Sequence, residues 1–215
     1  MNKKLMIFTD FDGTITTEDV CGAMVLTYAS EGWESVNQLW MDGVVSTEEC
    51  AQKTLDLMDV TPEELELLFQ EAEIDKTFPA FLAWLEQNEY PLSIVSDGYD
   101  NYIKVILEKN GINVPYHANH LNYEDGWKIK CSYLFTDCQK CGVCKTKIIE
   151  SLLKPGYTSV YIGDGYSDIC PADKCDILFA KKYLAEYCIE KGIPFYPYQN
   201  FDDVKNKLLE LFDIS

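Results

Sequence analysis

The sequence predicts an α/β protein: a mostly parallel sheet with helices on both faces, a helical insert after the first strand and a small β-hairpin insertion. Three observations predict it. Apolar runs of strand length recur along the 215 residues, separated by stretches of helical periodicity. Residues 15–89 hold no obvious strand run and read as helix. Three of the apolar runs end on aspartate or serine with glycine close by, and the carboxyl ends of such strands are where open α/β sheets bind ligands. The expected division is a core of residues 1–14 and 90–215, a cap of residues 15–89, and a hairpin of residues 115–135 within the core.

Taken in order, Leu5-Met6-Ile7-Phe8 fits a strand buried on both faces. It leads into Asp10-Phe11-Asp12-Gly13-Thr14, where two carboxylates on alternate residues precede a glycine that permits a sharp turn. Thr17 is expected to cap a helix to about residue 28, with Glu18 and Asp19 in its first turn. Ser46-Thr47-Glu48-Glu49 and Thr61-Pro62-Glu63-Glu64 read as capping boxes, the second with proline at the first helical position. A further helix is expected from Thr77 or Phe78 to Gln87. The second strand, 92–95, ends in Ser96-Asp97-Gly98, and a helix over 100–110 is stopped by Gly111. Asp125-Gly126 between alternating segments signals the hairpin. Strands over 159–162, 177–180 and 195–198 and helices over 146–153, 183–191 and 202–212 complete the pattern.

Charge narrows the partners. The net charge of −18 argues against nucleic acid and anionic membranes. It is concentrated: residues 15–89 hold seventeen acidic residues against Lys53 and Lys76, a net −15. The chain contains no arginine, so any bound anion must be held by lysine, hydroxyls, backbone N–H groups or metal. No apolar run reaches the length of a membrane span. Met1-Asn2-Lys3-Lys4 leads straight into the first strand, so no signal peptide is expected, and the nine cysteines then read as reduced thiols of a cytoplasmic protein.

If the strands are parallel neighbours, Asp10, Asp12, Ser96, Asp164 and Asp168 meet at one sheet edge, with Lys145 between the second and third groups. Carboxylates so crowded need a cation to offset their repulsion, and hard oxygen ligands with room for water suit Mg²⁺. Lys145 and the Ser96 hydroxyl would face a phosphate. Each residue also has a plainer reading: Ser96 as a turn residue, Lys145 as a solvated lysine at a helix start, Asp168 as a local cap.

Asp10-Phe11-Asp12-Gly13-Thr14, Ser96, Lys145 and Gly163-Asp164-Gly165-Tyr166-Ser167-Asp168 resemble, in this order, the four motifs of the haloacid dehalogenase superfamily of phosphatases. The resemblance covers nearly the whole chain. The insert resembles the cap of the phosphoserine-phosphatase-like branch. The cysteine-rich loop ending in Lys145 resembles the methionine-salvage phosphatases acting on 2-hydroxy-3-keto-5-methylthiopentenyl-1-phosphate. The resemblance implies that Asp10 attacks phosphorus and that Asp12 protonates the leaving alcohol and then activates water. It implies Mg²⁺ held by the Asp10 carboxylate, the Asp12 carbonyl and Asp164, with Asp168 holding waters or Lys145. Lys145 and Ser96, with Gly13, Thr14, Asp97, Gly98 and nearby backbone N–H groups, would form the phosphate site. Position 167 is serine where relatives often carry asparagine or another small polar residue.

Cys131, Cys138, Cys141 and Cys144 offer four thiols for a structural zinc, but three fall in one loop instead of two separated pairs, so reduced thiols are favoured. His117 and His120 read as surface or turn residues. In the cap, Glu18 and Asp19 are the polar candidates to touch a substrate, for instance the amine of phosphoethanolamine. The lack of arginine counts against a substrate carboxylate such as that of phosphoserine. Met24, Trp33, Trp40 or Met41 would suit a thioether tail, or else fill the cap's own core. The expected function is hydrolysis of a small phosphorylated metabolite, with oligomeric state left open. The competing readings are a non-catalytic binding protein on the same fold and phosphoryl transfer between sugars.

Overall fold

The computed structural model describes residues 4–134 and 141–212. β1 (Lys4–Thr9) is buried from Leu5 onward. Its side chains alternate between two cores: Leu5 and Ile7 join Ile94, Ile162 and Phe179 on one face, while Met6 and Phe8 join Val95, Tyr161 and Leu178 on the other. A strand apolar from Leu5 to Phe8 is thereby buried on both sides.

Five helices follow: α1 (Val20–Tyr28), α2 (Trp33–Met41), α3 (Thr47–Leu55), α4 (Pro62–Glu71) and α5 (Phe78–Gln87). The chain then runs through β2 (Leu92–Tyr99), α6 (Asp100–Lys109), the hairpin β3 (Tyr116–Tyr123) and β4 (Trp127–Lys130), α7 (Lys145–Leu152) and β5 (Tyr157–Gly163). A 3-10 turn, Tyr166–Asp168, leads to α8 (Ile169–Ala172), β6 (Ile177–Ala180), α9 (Lys182–Lys191), β7 (Tyr196–Pro197) and α10 (Phe201–Phe212). The sheet order is β4-β3-β2-β1-β5-β6-β7. All pairings are parallel except β3 with β4. The α/β class, the parallel sheet and the hairpin are therefore as the sequence predicts.

The insert differs from expectation in three places. α1 is capped by Asp19, whose carboxylate accepts from Gly22 N, and not by Thr17. Thr17 N instead donates to Glu73 O, and Thr16 bridges Ile74, so the two ends of the insert are zipped together at its root. α2 is a helix the sequence analysis does not place. α5 lies against the sheet-side helix α10, with Phe78 and Phe81 packed on Phe201. The insert also meets the hairpin: Gln52 of α3 donates to Trp127 O and accepts from Ile129 N, and Trp127 Nε1 donates to Val60 O. Asp125 and Gly126 take the positive φ values, 51° and 124°, that a tight hairpin turn demands. Among the described residues no helix is long and apolar enough to cross a membrane.

Candidate active site

β1 pairs in register with β2 and β5, and both pairings stop at Thr9, so Asp10, Ser96 within β2 and Asp164 come to one edge of the sheet. α7 brings Lys145 into the same place with its side chain only 1% exposed. Its ammonium lies 2.9 Å from Asp10 Oδ1 and 2.6 Å from Asp168 Oδ1. Burial alone would lower the Lys145 pKa, but the two carboxylates outweigh it and raise it.

Asp168 is saturated. Oδ1 accepts from Lys145 and, at 2.5 Å, from Tyr161 OH, while Oδ2 accepts from the backbone N–H groups of Asp164 and Gly165, each at 2.9 Å. Two bonds per oxygen use the lone pairs a carboxylate offers. Burial pushes this carboxyl up, but Lys145 and the other donors prevail and hold it below the usual range. Asp10 behaves oppositely: burial, then the Asp168 charge, raise it well above that range despite Lys145. Both its hydrogen bonds, from Phe11 N at 2.8 Å and from Lys145, go to Oδ1, leaving Oδ2 without a partner among the described residues.

The glycine of the opening motif is dictated by space as well as by turn. Gly13 has φ +66°, and a Cβ there would lie 2.4 Å from Asp164 Oδ2. Thr14, expected near a phosphate, instead donates to Asp164 Oδ1 at 2.9 Å. Asp164 Oδ2 accepts from Lys182, a residue held at φ 47°. The Gly13 N–H is used within the turn, on Thr16 Oγ1 and Glu18 O. The Gly98 N–H donates to Ser96 Oγ at 3.0 Å, which leaves the Ser96 hydroxyl proton to be given elsewhere. Asp97 accepts from Val143 N at 2.8 Å and from Asn119, tying the strand end to the loop that delivers Lys145.

Asp12 is held on two sides. Its Oδ1 accepts from Val20 N at 3.0 Å and its Oδ2 from the Tyr102 hydroxyl. Desolvation, then the charge of Asp19, push the carboxyl up to about 7 against the opposing effect of these bonds. Asp10, Asp12, Ser96, Asp97 and Gly98 line a cleft of about 610 Å³. α1, α2 and α3 supply its far wall through Asp19, Cys21, Val25, Trp40, Cys50 and Thr54. Trp40 crosses to meet Tyr166 edge-on, with ring centres 5.5 Å apart. Among the described residues no lysine lines the cleft.

Asp10, Asp12, Ser96, Lys145, Asp164 and Asp168 thus come together as the sequence predicts. Glu18 does not join them: it is exposed and outside the cleft lining. Of the apolar cap candidates only Trp40 lines the cleft. Met24 is buried in the main core and Met41 is 66% exposed. His120 pairs with Asp100 and His117 with Tyr133, both away from the cleft. Cys138 lies outside the described residues. Among those described, the one group of acidic, histidine or cysteine side chains close enough to share a metal is Asp10, Asp164 and Asp168. Tyr102, Tyr161 and Lys182 escape sequence reasoning because no spacing rule links them to the carboxylates they touch.

A family model described as haloacid dehalogenase-like hydrolase matches residues 7–173. The chain is similar to the 2-hydroxy-3-keto-5-methylthiopentenyl-1-phosphate phosphatase of Geobacillus kaustophilus (strain HTA426), at 30% identity over 97% of each chain. A relative of the same name from Bacillus cereus (strain AH820) is 27% identical over 98% of this chain and 99% of its own. Among solved structures, a substrate-bound phosphoserine phosphatase complex superposes with a TM-score of 0.72 at 21% identity, covering 96% of this chain and 99% of that one. That likeness speaks for the fold.

Proposed function

This chain belongs to the haloacid dehalogenase-like hydrolases and is a phosphatase; from that premise we propose that it hydrolyses 2-hydroxy-3-keto-5-methylthiopentenyl-1-phosphate, or a small ester like it, through a phosphoenzyme on Asp10. The observation that carries the chemistry is Lys145, buried between Asp168 and Asp10, the carboxylate that lines the cleft. The substrate reading is supported by the two relatives' names and by a cleft wall of Val25, Trp40, Ala51 and Thr54. The absence of arginine from the chain, and of lysine from that wall among the described residues, disfavours a substrate carboxylate.

In the first step Asp10 Oδ2 attacks phosphorus. The bond from phosphorus to the leaving oxygen breaks, and Asp12 gives that oxygen its proton. In the second step the ionised Asp12 takes a proton from water as the water attacks phosphorus. The bond to Asp10 then breaks, phosphate departs and Asp12 is protonated again. Lys145 steadies the charge on the phosphoryl oxygens and the Ser96 hydroxyl donates to one of them. Asp168, with all its acceptor positions taken, orients Lys145 and the Asp164 backbone.

Mg²⁺ fits the donor set. The oxygens of Asp10, Asp164 and Asp168 lie within 4.8 Å of one another, and Lys145 and Lys182 leave the carboxylates of this edge undercompensated. Asp10, Asp164 and the Asp12 carbonyl would hold the ion, with Asp168 in support. When bound it would offset carboxylate charge and polarise a phosphoryl oxygen. Within residues 15–89, α1 to α3 form the lid over the site, while α5 stays with the core of 1–14 and 90–215. The thiols of Cys21, Cys50, Cys131, Cys175 and Cys188, held in no disulfide, fit a reducing cytoplasm.

A second reading rests on Asp19, whose carboxylate at the cleft wall would suit an amine such as that of phosphoethanolamine. A panel assayed with Mg²⁺ separates the two. The thioether-tailed phosphate should give the highest kcat/KM, and a preference for phosphoethanolamine or phosphoserine would overturn the substrate assignment.

A further inference from the structure

Tyr102 is fully buried in the first turn of α6, and its ring is fenced by Phe11, Phe69 and Tyr99 at centre distances of 6.0, 5.6 and 6.0 Å. Packing of that kind asks only for an aromatic ring, and phenylalanine would meet it. A phenolic hydroxyl adds the cost of burying a polar group unless it finds a partner. Its partner is Asp12 Oδ2. The local chain makes room for this contact: a Cβ at position 98 would lie 1.6 Å from the Tyr102 hydroxyl and 2.5 Å from Asp12 Oδ2, so only glycine lets the two meet. The other carboxylate oxygen is tied to Val20 N at the start of α1. One bond therefore comes from the core and the other from the insert.

We propose that Tyr102 is a positioning residue for proton transfer: its hydroxyl locks the Asp12 carboxyl in the pose from which it serves the leaving oxygen and the attacking water. The inference rests on the acid–base role assigned to Asp12 above. Tyr102 itself neither gains nor loses a proton over the cycle. A carboxyl free to rotate would still be present but would be out of line with the leaving oxygen for much of the time, and the loss should fall where the leaving group most needs a proton.

The test compares kcat/KM, which reports phosphoenzyme formation, on propyl phosphate, whose alkoxide needs protonation, and on p-nitrophenyl phosphate, whose phenolate does not. General acid–base catalysis contributes roughly 10²–10⁴-fold, so Tyr102→Phe should lower propyl phosphate turnover by about 10- to 100-fold and p-nitrophenyl phosphate turnover by less than about 3-fold. Asp12→Asn should show the same selectivity, more strongly. Equal losses on both esters, or none, from Tyr102→Phe would overturn the proposal while a selective Asp12→Asn leaves the acid–base reading standing. An unselective Asp12→Asn would instead remove that reading and the proposal with it. Should Tyr102→Phe not fold, 3-fluorotyrosine at position 102 keeps the hydroxyl and the ring shape. A change confined to propyl phosphate supports the role of the hydroxyl, and an equal response of the two esters refutes it.

Discussion

Replacing Lys145 by methionine keeps the side-chain bulk and removes the charge, so its effect isolates electrostatics from cavity formation. The lysine side chain is 1% exposed and reaches two carboxylates at 2.9 and 2.6 Å. Removing one partner from a buried ionic group leaves the others uncompensated and costs about 3–5 kcal/mol. In a chain of 215 residues each kcal/mol moves the melting temperature by about 2–4 °C, so a fall of roughly 6–20 °C is expected at neutral pH without divalent metal. The pH dependence follows from the sign of the shifts. In the native protein Asp168 is held below the usual range, so its contribution is present above the unfolded carboxylate pKa and lost as pH falls through the folded one. Without Lys145, burial raises both Asp168 and Asp10, and their ionisation then opposes folding as pH rises. The gap in melting temperature should therefore be widest at neutral pH and narrow towards pH 4. Mg²⁺ should narrow it too by restoring positive charge. Calorimetry of Lys145→Met and native protein across pH, with and without Mg²⁺, makes the measurement. A variant as stable as the native protein, or a gap independent of pH, would refute the reasoning.

Asp10→Asn should fold normally and form no phosphoenzyme, because an amide cannot carry the aspartyl-phosphate; full hydrolysis after deamidation and contaminants are excluded would sink the mechanism. Chelation with EDTA should abolish turnover, and added Mg²⁺ should restore it and raise the melting temperature, since cation binding to the folded state alone is stabilising; activity that survives exhaustive chelation would count against the metal. Asp19→Asn keeps the helix cap but removes a charge that helps raise Asp12 towards 7. Asp12 must be protonated to start the reaction, so the alkaline limb of kcat/KM should move to lower pH in that variant; an unmoved limb would disconnect Asp19 from Asp12.

The part of the site legible in the sequence is the part made by local chain direction. Apolar runs ending in Asp10, Ser96 and Asp164 were readable as strands with polar termini, and parallel pairing of β1 with its neighbours β2 and β5 then brings those termini together. The Thr61 capping box and the Asp125-Gly126 turn were equally readable, because each is satisfied within four residues. The insert was less so. α2 carries no buried residue and follows Gly32, which offers no side-chain cap, so no capping signal announces it. Thr17 looked like a cap but was drawn into the pairing that closes the root of the insert. By itself, then, the sequence determined which groups stand at the sheet edge, and the tertiary structure decided which groups each of them touches. Thr14 reaches Asp164 across 150 residues and Tyr102 reaches Asp12 across 90. Each buried polar atom must find a partner or bear the full cost of leaving water, and which partner lies within reach depends on how distant segments pack.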